Sequence, residues 1–329
     1  MLTAHKTSAF NPAWPLPNGH LETIYPSLFR KVNGLAGRYV RERLELPDGD
    51  FLDIDRLTRK ASRAVIISHG LEGNSHRAYV TGMARAFEAE GWDVLAWNFR
   101  GCSGVMNRFP RFYHSGDTAD LLSVVRFAID ACGYEQVVLI GFSMGGNMTL
   151  KLAGEAGEGL PREVTGLVAF SVPCDLAASA KKLEKSAFGL YQRRFMRMLK
   201  AKIEAKEADM PGTFDLSGLN RMRTFREFDD TFTAPLHGFR DAADYWEKAS
   251  CLPWLPDIRR PALLVSALND PFLTESCFPR EAARANPCVT LETPKHGGHT
   301  GFTQNLSAPV LWSELRALKF AESLQTGTG

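Results

Sequence analysis

Chemistry in this chain starts at Gly141-Phe142-Ser143-Met144-Gly145. A serine with glycine two residues to either side suits a strand-to-helix turn so tight that larger side chains at the glycine positions would collide. The hydroxyl then stands clear at the carboxyl edge of a sheet, at the start of a helix whose dipole favours negative charge. The flanks fit that geometry. Val137, Val138, Leu139 and Ile140 form an apolar run suited to a buried strand. Met148, Leu150, Leu152 and Ala153 recur among Asn147 and Lys151 as one face of a helix does.

A nucleophilic serine needs a base, an acid to orient that base, and donors for the oxyanion. The segment LETPKHGGHTGF holds two histidines, His296 and His299. His299 is the preferred base, because Gly297-Gly298 before it and Gly301 after it allow a loop that reaches over Ser143. A metal reading of His-x-x-His lacks the intervening glutamate and a third ligand nearby, so no metal or cofactor is expected. The acid is Asp270 in ALLVSALNDPF, just past an apolar strand, with Glu275 and Asp257 as weaker substitutes. The oxyanion donors should be backbone amides, one from Met144 and one from the loop His69-Gly70-Leu71-Glu72-Gly73, where Leu71 is the choice. His69 is expected to brace that loop. Arg100 and Ser103 in NFRGCSG read as an ion-paired arginine and a turn serine, with shaping of the pocket floor as the alternative. His20 reads as a hydrogen-bonded structural histidine.

The elements that must position these residues alternate. Tyr39 to Leu46 and Phe51 to Leu57 flank Pro47-Asp48-Gly49, which predicts a hairpin and an antiparallel start to the sheet. A buried strand over Ala64 to Ser68 follows, then a helix over Arg77 to Glu90, a strand over Trp92 to Trp97 and a helix over Asp117 to Ala131. The elbow strand, its helix and a strand over Val164 to Phe170 come next. Such alternation implies an α/β fold, a mostly parallel sheet with helices on both faces. Ligands in such sheets bind beyond the carboxyl ends of the strands, where the serine turn, Asp270, the histidine loop, the His69–Gly73 loop and NFRGCSG all fall.

After Pro173 the rhythm stops, and it resumes with strands at Ala262 to Ala267 and Val289 to Glu292, helices near Glu281 to Ala285 and a last helix from about Pro309 to Glu322. The expected organisation is a core in two parts, 1–173 and 251–329, with a mainly helical cap over 174–250. Residues 1–38 form an N-terminal arm; prolines 12, 15 and 17 argue against a helix in 10–30, which reads as extended. Within the cap, Lys181 to Lys206 is predicted as one long cationic helix. Its Leu183, Tyr191, Phe195, Leu199 and Ile203 recur at or near helical spacing, with Arg193, Arg194, Arg197, Lys200 and Lys202 between them. The favoured reading is a cap helix packed on the core with a solvated basic face. The other is peripheral membrane contact through that helix.

With 39 basic and 37 acidic residues the chain has a formal charge of +2, and no global surplus points to nucleic acid. The six cysteines (Cys102, Cys132, Cys174, Cys251, Cys277, Cys288) are scattered without a C-x-x-C pair, as reduced thiols of a cytoplasmic protein would be. The N-terminal residues lack the layout of a signal peptide, and no apolar run is long enough for a membrane span. The tail, Gln325 to Gly329, is expected to fray. Oligomeric state is not legible.

Taken together, NGHLETIYPSLFR, HGLEGNSHRAYV, NFRGCSG, GFSMGGNMTLKLAGE, YQRRFMRMLKAK, FDDTFTAPLHGF, LNDPF and GGHTGF resemble the YheT-like branch of the α/β-hydrolase superfamily, in family order across almost the whole chain. The resemblance implies the α/β-hydrolase fold and a serine hydrolase with nucleophile Ser143, acid Asp270 and base His299. It further implies carboxylester or lipid-ester substrates and no cofactor. Animal relatives carry an N-terminal membrane anchor that is not expected here. Two alternatives use the same scaffold. An acyltransferase would pass the acyl group to an alcohol, and a non-catalytic binder would have no use for a strained elbow serine.

Overall fold

Val137 to Ile140 are buried because strands flank both edges of their segment and helices cover both faces. The computed structural model describes residues 5–6, 10–35 and 37–324. Its strands are β1 (His5–Lys6), β2 (Val40–Glu45), β3 (Phe51–Leu57), β4 (Arg63–Ser68), β5 (Asp93–Trp97), β6 (Gln136–Phe142), β7 (Val164–Phe170), β8 (Ala262–Val265) and β9 (Val289–Glu292). They form one nine-stranded sheet in the order β1-β9-β8-β7-β6-β4-β5-β3-β2. β3 runs antiparallel to both its neighbours, and every other pair is parallel.

Alternation along the central strands sorts their side chains onto two cores. Val65, Ile67, Val138 and Ile140 join one apolar cluster with Val80, Met83 and Phe87 of α2 (Ala78–Ala89). Ile66, Val137 and Leu139 join the opposite one with Leu121 and Val124 of α3 (Thr118–Arg126) and Met148 of α4 (Met144–Ala156). The chain leaves β4 to one side for β5 and returns to the other side for β6. That reversal creates a crevice at the carboxyl ends of β4 and β6, where Ser68 is level with Gly141.

The N-terminal segment departs from the extended arm expected for 10–30. Residues Gly19–Phe29 form a helix, α1, capped by Asn18, whose Oδ1 accepts from the Leu21 amide at 3.0 Å. All three prolines that argued against a helix lie ahead of this cap, so they limit where the helix starts and not whether it forms. The tail, 325–329, lies outside the described residues.

Segment 174–250 carries α5 (Leu176–Lys185), α6 (Leu190–Asp209), α7 (Phe225–Phe228), α8 (Ala234–Leu236) and α9 (Ala242–Ala249), with no strand. The single helix expected over Lys181 to Lys206 is two. Ala187, Phe188 and Gly189 all take positive φ (47°, 54° and 75°), which ends α5 and redirects α6. The basic face is not wholly solvated either. Lys202 and Lys206 are buried, Lys202 Nζ meeting Glu72 Oε1 at 3.2 Å and Lys206 Nζ donating to the Phe109 carbonyl at 2.6 Å. Leu183, Tyr191, Leu199 and Ile203 pack inward with Phe228 and Trp246. That packing occupies the apolar stripe a membrane-surface helix would need. The chain resumes with α10 (Arg280–Ala285) and ends with α11 (Trp312–Ser323), whose Ala317 and Phe320 cover the α2 face of the sheet.

Candidate active site

Ser143 sits between β6 and α4 with φ 54° and ψ −118°, a backbone conformation side chains rarely hold. Two glycines permit the turn. A Cβ on Gly141 would lie 2.3 Å from the Gly145 carbonyl oxygen, and one on Gly145 would lie 2.4 Å from that of His69. Ser143 N donates to the Phe170 carbonyl at 2.8 Å, fixing the elbow to β7. The buried Asn147 then ties α4 to the end of segment 174–250: its Nδ2 donates to the Ala249 carbonyl at 2.7 Å and its Oδ1 accepts from Cys251 N at 2.8 Å.

His299 lies in the loop after β9, and Asp270 in the turn after β8. They meet: His299 Nδ1 is 2.9 Å from Asp270 Oδ2 and 3.1 Å from Oδ1. Asp270 Oδ1 also accepts from Phe272 N at 2.8 Å, and the Phe272 ring stacks on the imidazole with centroids 4.0 Å apart. The carboxylate and the ring therefore fix both the tilt and the Nδ1–H tautomer, leaving Nε2 free to accept a proton. Ser143 and His299 line the same two cavities. Among the described residues Ser143 Oγ makes no hydrogen bond. Such contacts often close only when substrate is bound.

The other candidates are placed elsewhere. His296 Nδ1 lies 3.1 Å from Glu22 Oε1, and neither residue lines the cavities shared by Ser143 and His299. Glu275 pairs with Arg280, and Asp257 is exposed beside Arg259. Arg100 is buried in a bidentate pair with Asp120 at 2.7 Å, with Asp48 and Asp50 at 2.8 and 3.0 Å, and Ser103 Oγ donates to Asp53 at 2.7 Å. Neither lines the cleft. His20 is hydrogen-bonded to the Tyr191 hydroxyl at 3.1 Å.

The loop after β4 runs beside the elbow. Gly70 N donates to the Tyr79 hydroxyl at 2.9 Å and Glu72 N to the Tyr113 hydroxyl at 3.0 Å. Leu71 N lies between these two braced amides and has no partner among the described residues. Met144 N is a first-turn amide of α4, which no carbonyl of its own helix reaches. His69 accepts from Phe99 N at 3.1 Å through Nε2 and contacts the Gly70 carbonyl at 2.8 Å through Nδ1. Burial pushes its pKa down to about 3, so it braces the loop as a neutral ring.

Several supporting residues escaped the sequence reading. Thr23 and Glu22 of α1 hold the histidine loop. Thr23 Oγ1 accepts from His299 N at 2.8 Å, while Glu22 Oε2 accepts from Gly297 N at 2.6 Å and from Asn269 Nδ2 at 3.0 Å. A Cβ on Gly301 would sit 2.1 Å from the Glu22 carbonyl oxygen, so that glycine lets α1 press against the loop. Tyr79, Tyr113 and the Glu72–Lys202 pair hold the loop after β4. The signal available for α1 was Asn18 ahead of a helical repeat.

The cleft has two lobes that share Leu71, Ser143, Phe195, Phe272 and His299. One runs under 174–250 between Leu176, Leu183, Leu199, Phe228 and Trp246. The other opens past α1 and α2 beside Arg77 and Arg194. Asp229 lines the inner lobe. Burial pushes its carboxyl up to about 7 even though Thr233 Oγ1 (2.6 Å) and Trp246 Nε1 (2.8 Å) donate to it. A folded-state pKa above the usual 3.8 means its favourable contribution is complete at low pH and is lost as pH rises through about 7. Asp229→Asn should therefore gain stability relative to the parent by about 2–3 kcal/mol between pH 5 and pH 8. Urea unfolding at both pH values checks this; a difference that does not change with pH contradicts it.

Comparison with known proteins agrees with this architecture. Residues 63–306 match the family model described as alpha/beta hydrolase fold. YheT of Escherichia coli is 37% identical over 94% of this chain and 92% of its own. Phospholipase ABHD3 of Homo sapiens is 27% identical over 82% of this chain and 68% of its own. The monoacylglycerol lipase of Saccharomyces cerevisiae is 25% identical over 91% and 77%. Among solved structures, an esterase of Pyrococcus furiosus superposes with a TM-score of 0.58 at 18% identity, covering 91% of this chain and 99% of that one, a likeness of fold.

Proposed function

Because this chain belongs to the α/β-hydrolase family, we propose that it is a serine hydrolase that cleaves carboxylic esters through Ser143, His299 and Asp270. The observation that carries the reading is the Asp270–His299 pair at 2.9 Å, whose imidazole lines the same cavity as a serine held at positive φ. Ser143 Oγ attacks the ester carbonyl carbon as His299 Nε2 takes its proton. The Leu71 and Met144 amides receive the oxyanion, and Asp270 stabilises the imidazolium. Collapse expels the alcohol with the proton from His299. Water then attacks the acyl-enzyme, His299 takes and returns a proton, and the acid leaves.

Segment 174–250 acts as the cap in this reading. It supplies most of the inner lobe, whose apolar lining suits a short- to medium-chain acyl group. Relatives named as a phospholipase and a monoacylglycerol lipase favour acyl-lipid esters as the substrate class.

A series of p-nitrophenyl esters of increasing acyl length tests this. The expected result is a burst of nitrophenol equal to the enzyme present, then steady turnover, with kcat/KM peaking at short to medium chains. No turnover across the series contradicts the reading.

A further inference from the structure

The charges around the outer lobe do not balance. Arg30 there is paired with Glu314 at 2.6 Å, and Glu72 is paired with Lys202 at 3.2 Å. Arg77 and Arg194 are left over. Among the described residues neither forms an ion pair with a carboxylate. A guanidinium offers five N–H donors. Arg77 places one on the Glu72 carbonyl at 3.0 Å, and Arg194 places none on any described group. Partial desolvation at the cleft rim, and then the charges of Arg77 and Arg197, hold Arg194 below the usual arginine range. Two like charges on one concave surface repel, and apolar walls focus their field into the cleft. An anion seated there relieves both.

We propose, on the ester-hydrolase reading above, that the substrate's alcohol half carries an anionic group, a phosphate or a carboxylate, bound by Arg77 and Arg194 while the acyl chain fills the inner lobe. The assignment of the two halves follows from the order of product release. The alcohol must depart while the acyl group is still bonded to Ser143, so it belongs in the lobe that opens to solvent. Arg194 is exposed and marks that opening, whereas Leu199 and Phe228 of the inner lobe are buried. In the step itself the Ser143 Oγ–carbon bond forms and the carbon–alkoxy oxygen bond breaks. His299 gives that oxygen its proton, and the alcohol leaves with its anion intact. Water supplies the hydroxyl that completes the acid and the proton that restores Ser143.

The test uses the full chain and three hexanoyl esters, each below its micellar concentration so that no lipid surface is present. The alcohols are glycerol 3-phosphate, glycerate and glycerol. The parent should favour one or both anionic esters over the neutral one by about tenfold or more in kcat/KM, mainly through KM. High salt should shrink that preference, since Arg194 is on the rim. Arg194→Gln and Arg77→Gln should each reduce the ratio, and Arg194→Glu should bring it below one. Which anion is preferred identifies phosphate or carboxylate as the natural group. Equal kcat/KM for all three esters, with turnover that still requires Ser143, overturns this proposal and leaves the hydrolase reading standing. No turnover of any ester overturns the hydrolase reading itself.

Discussion

Ser143→Ala should lower ester turnover by at least about 10³-fold while the protein folds as before. The loss is large because the remaining members of the triad have nothing to act on once the hydroxyl is gone. Binding and the oxyanion amides alone sustain only a weak attack by water. Alanine keeps a Cβ at φ 54°, so the backbone strain at the elbow is unchanged and the melting temperature should be too. Ser143→Gly separates the two effects. It should be equally inactive but more stable by about 1 kcal/mol, because glycine takes the elbow conformation without strain. Steady-state assays and thermal melts of both variants check this pair. Parental turnover in Ser143→Ala contradicts the assignment, and a Gly variant that melts lower contradicts the account of strain.

Asp270→Asn should cost about 10³–10⁴-fold in kcat with little change in KM. Both carboxylate oxygens lie within 3.1 Å of His299 Nδ1, and Oδ1 also accepts from the Phe272 amide. With asparagine, the side-chain oxygen is drawn to Phe272 N and the NH₂ is turned toward the imidazole. The ring must then accept at Nδ1 and carry its proton on Nε2, where it can no longer act as a base toward Ser143. Because the carboxylate acts only as charge develops on the ring, ground-state binding is spared. An Asn variant that loses KM and keeps kcat would assign Asp270 to substrate binding instead.

The elbow, Asp270 and His299 were legible because local constraints announce each of them. Gly141 and Gly145 are required by steric contact, Asp270 follows an apolar run at Asn269-Asp270-Pro271, and His299 is set among glycines. The strands were legible for a similar reason: buried parallel strands read as continuous apolar runs. What the sequence hid depends on distant partners. Thr23 holds the amide of His299 from 276 residues away, and nothing near Thr23 signals that contact. Lys202 reads as a solvated residue of an amphipathic helix, yet it is buried against Glu72 of the loop that carries Leu71. The break between α5 and α6 was hidden as well. Ala187 and Phe188 take positive φ with no β-turn signature, and only Gly189 hints at it. The extended reading of the N-terminal segment gave its prolines authority beyond Asn18, where the helix cap begins.

The central claim is that the hydroxyl of Ser143 is activated in this fold. Fluorophosphonate labelling of the native protein, followed by peptide mass mapping, tests it most directly, because the probe captures only a serine whose base and oxyanion donors are in place. The expected result is one adduct on the peptide bearing Ser143, abolished by heat denaturation before labelling and sharply reduced in Asp270→Asn. A folded protein that takes no label, or takes it on a different residue, would contradict the mechanism.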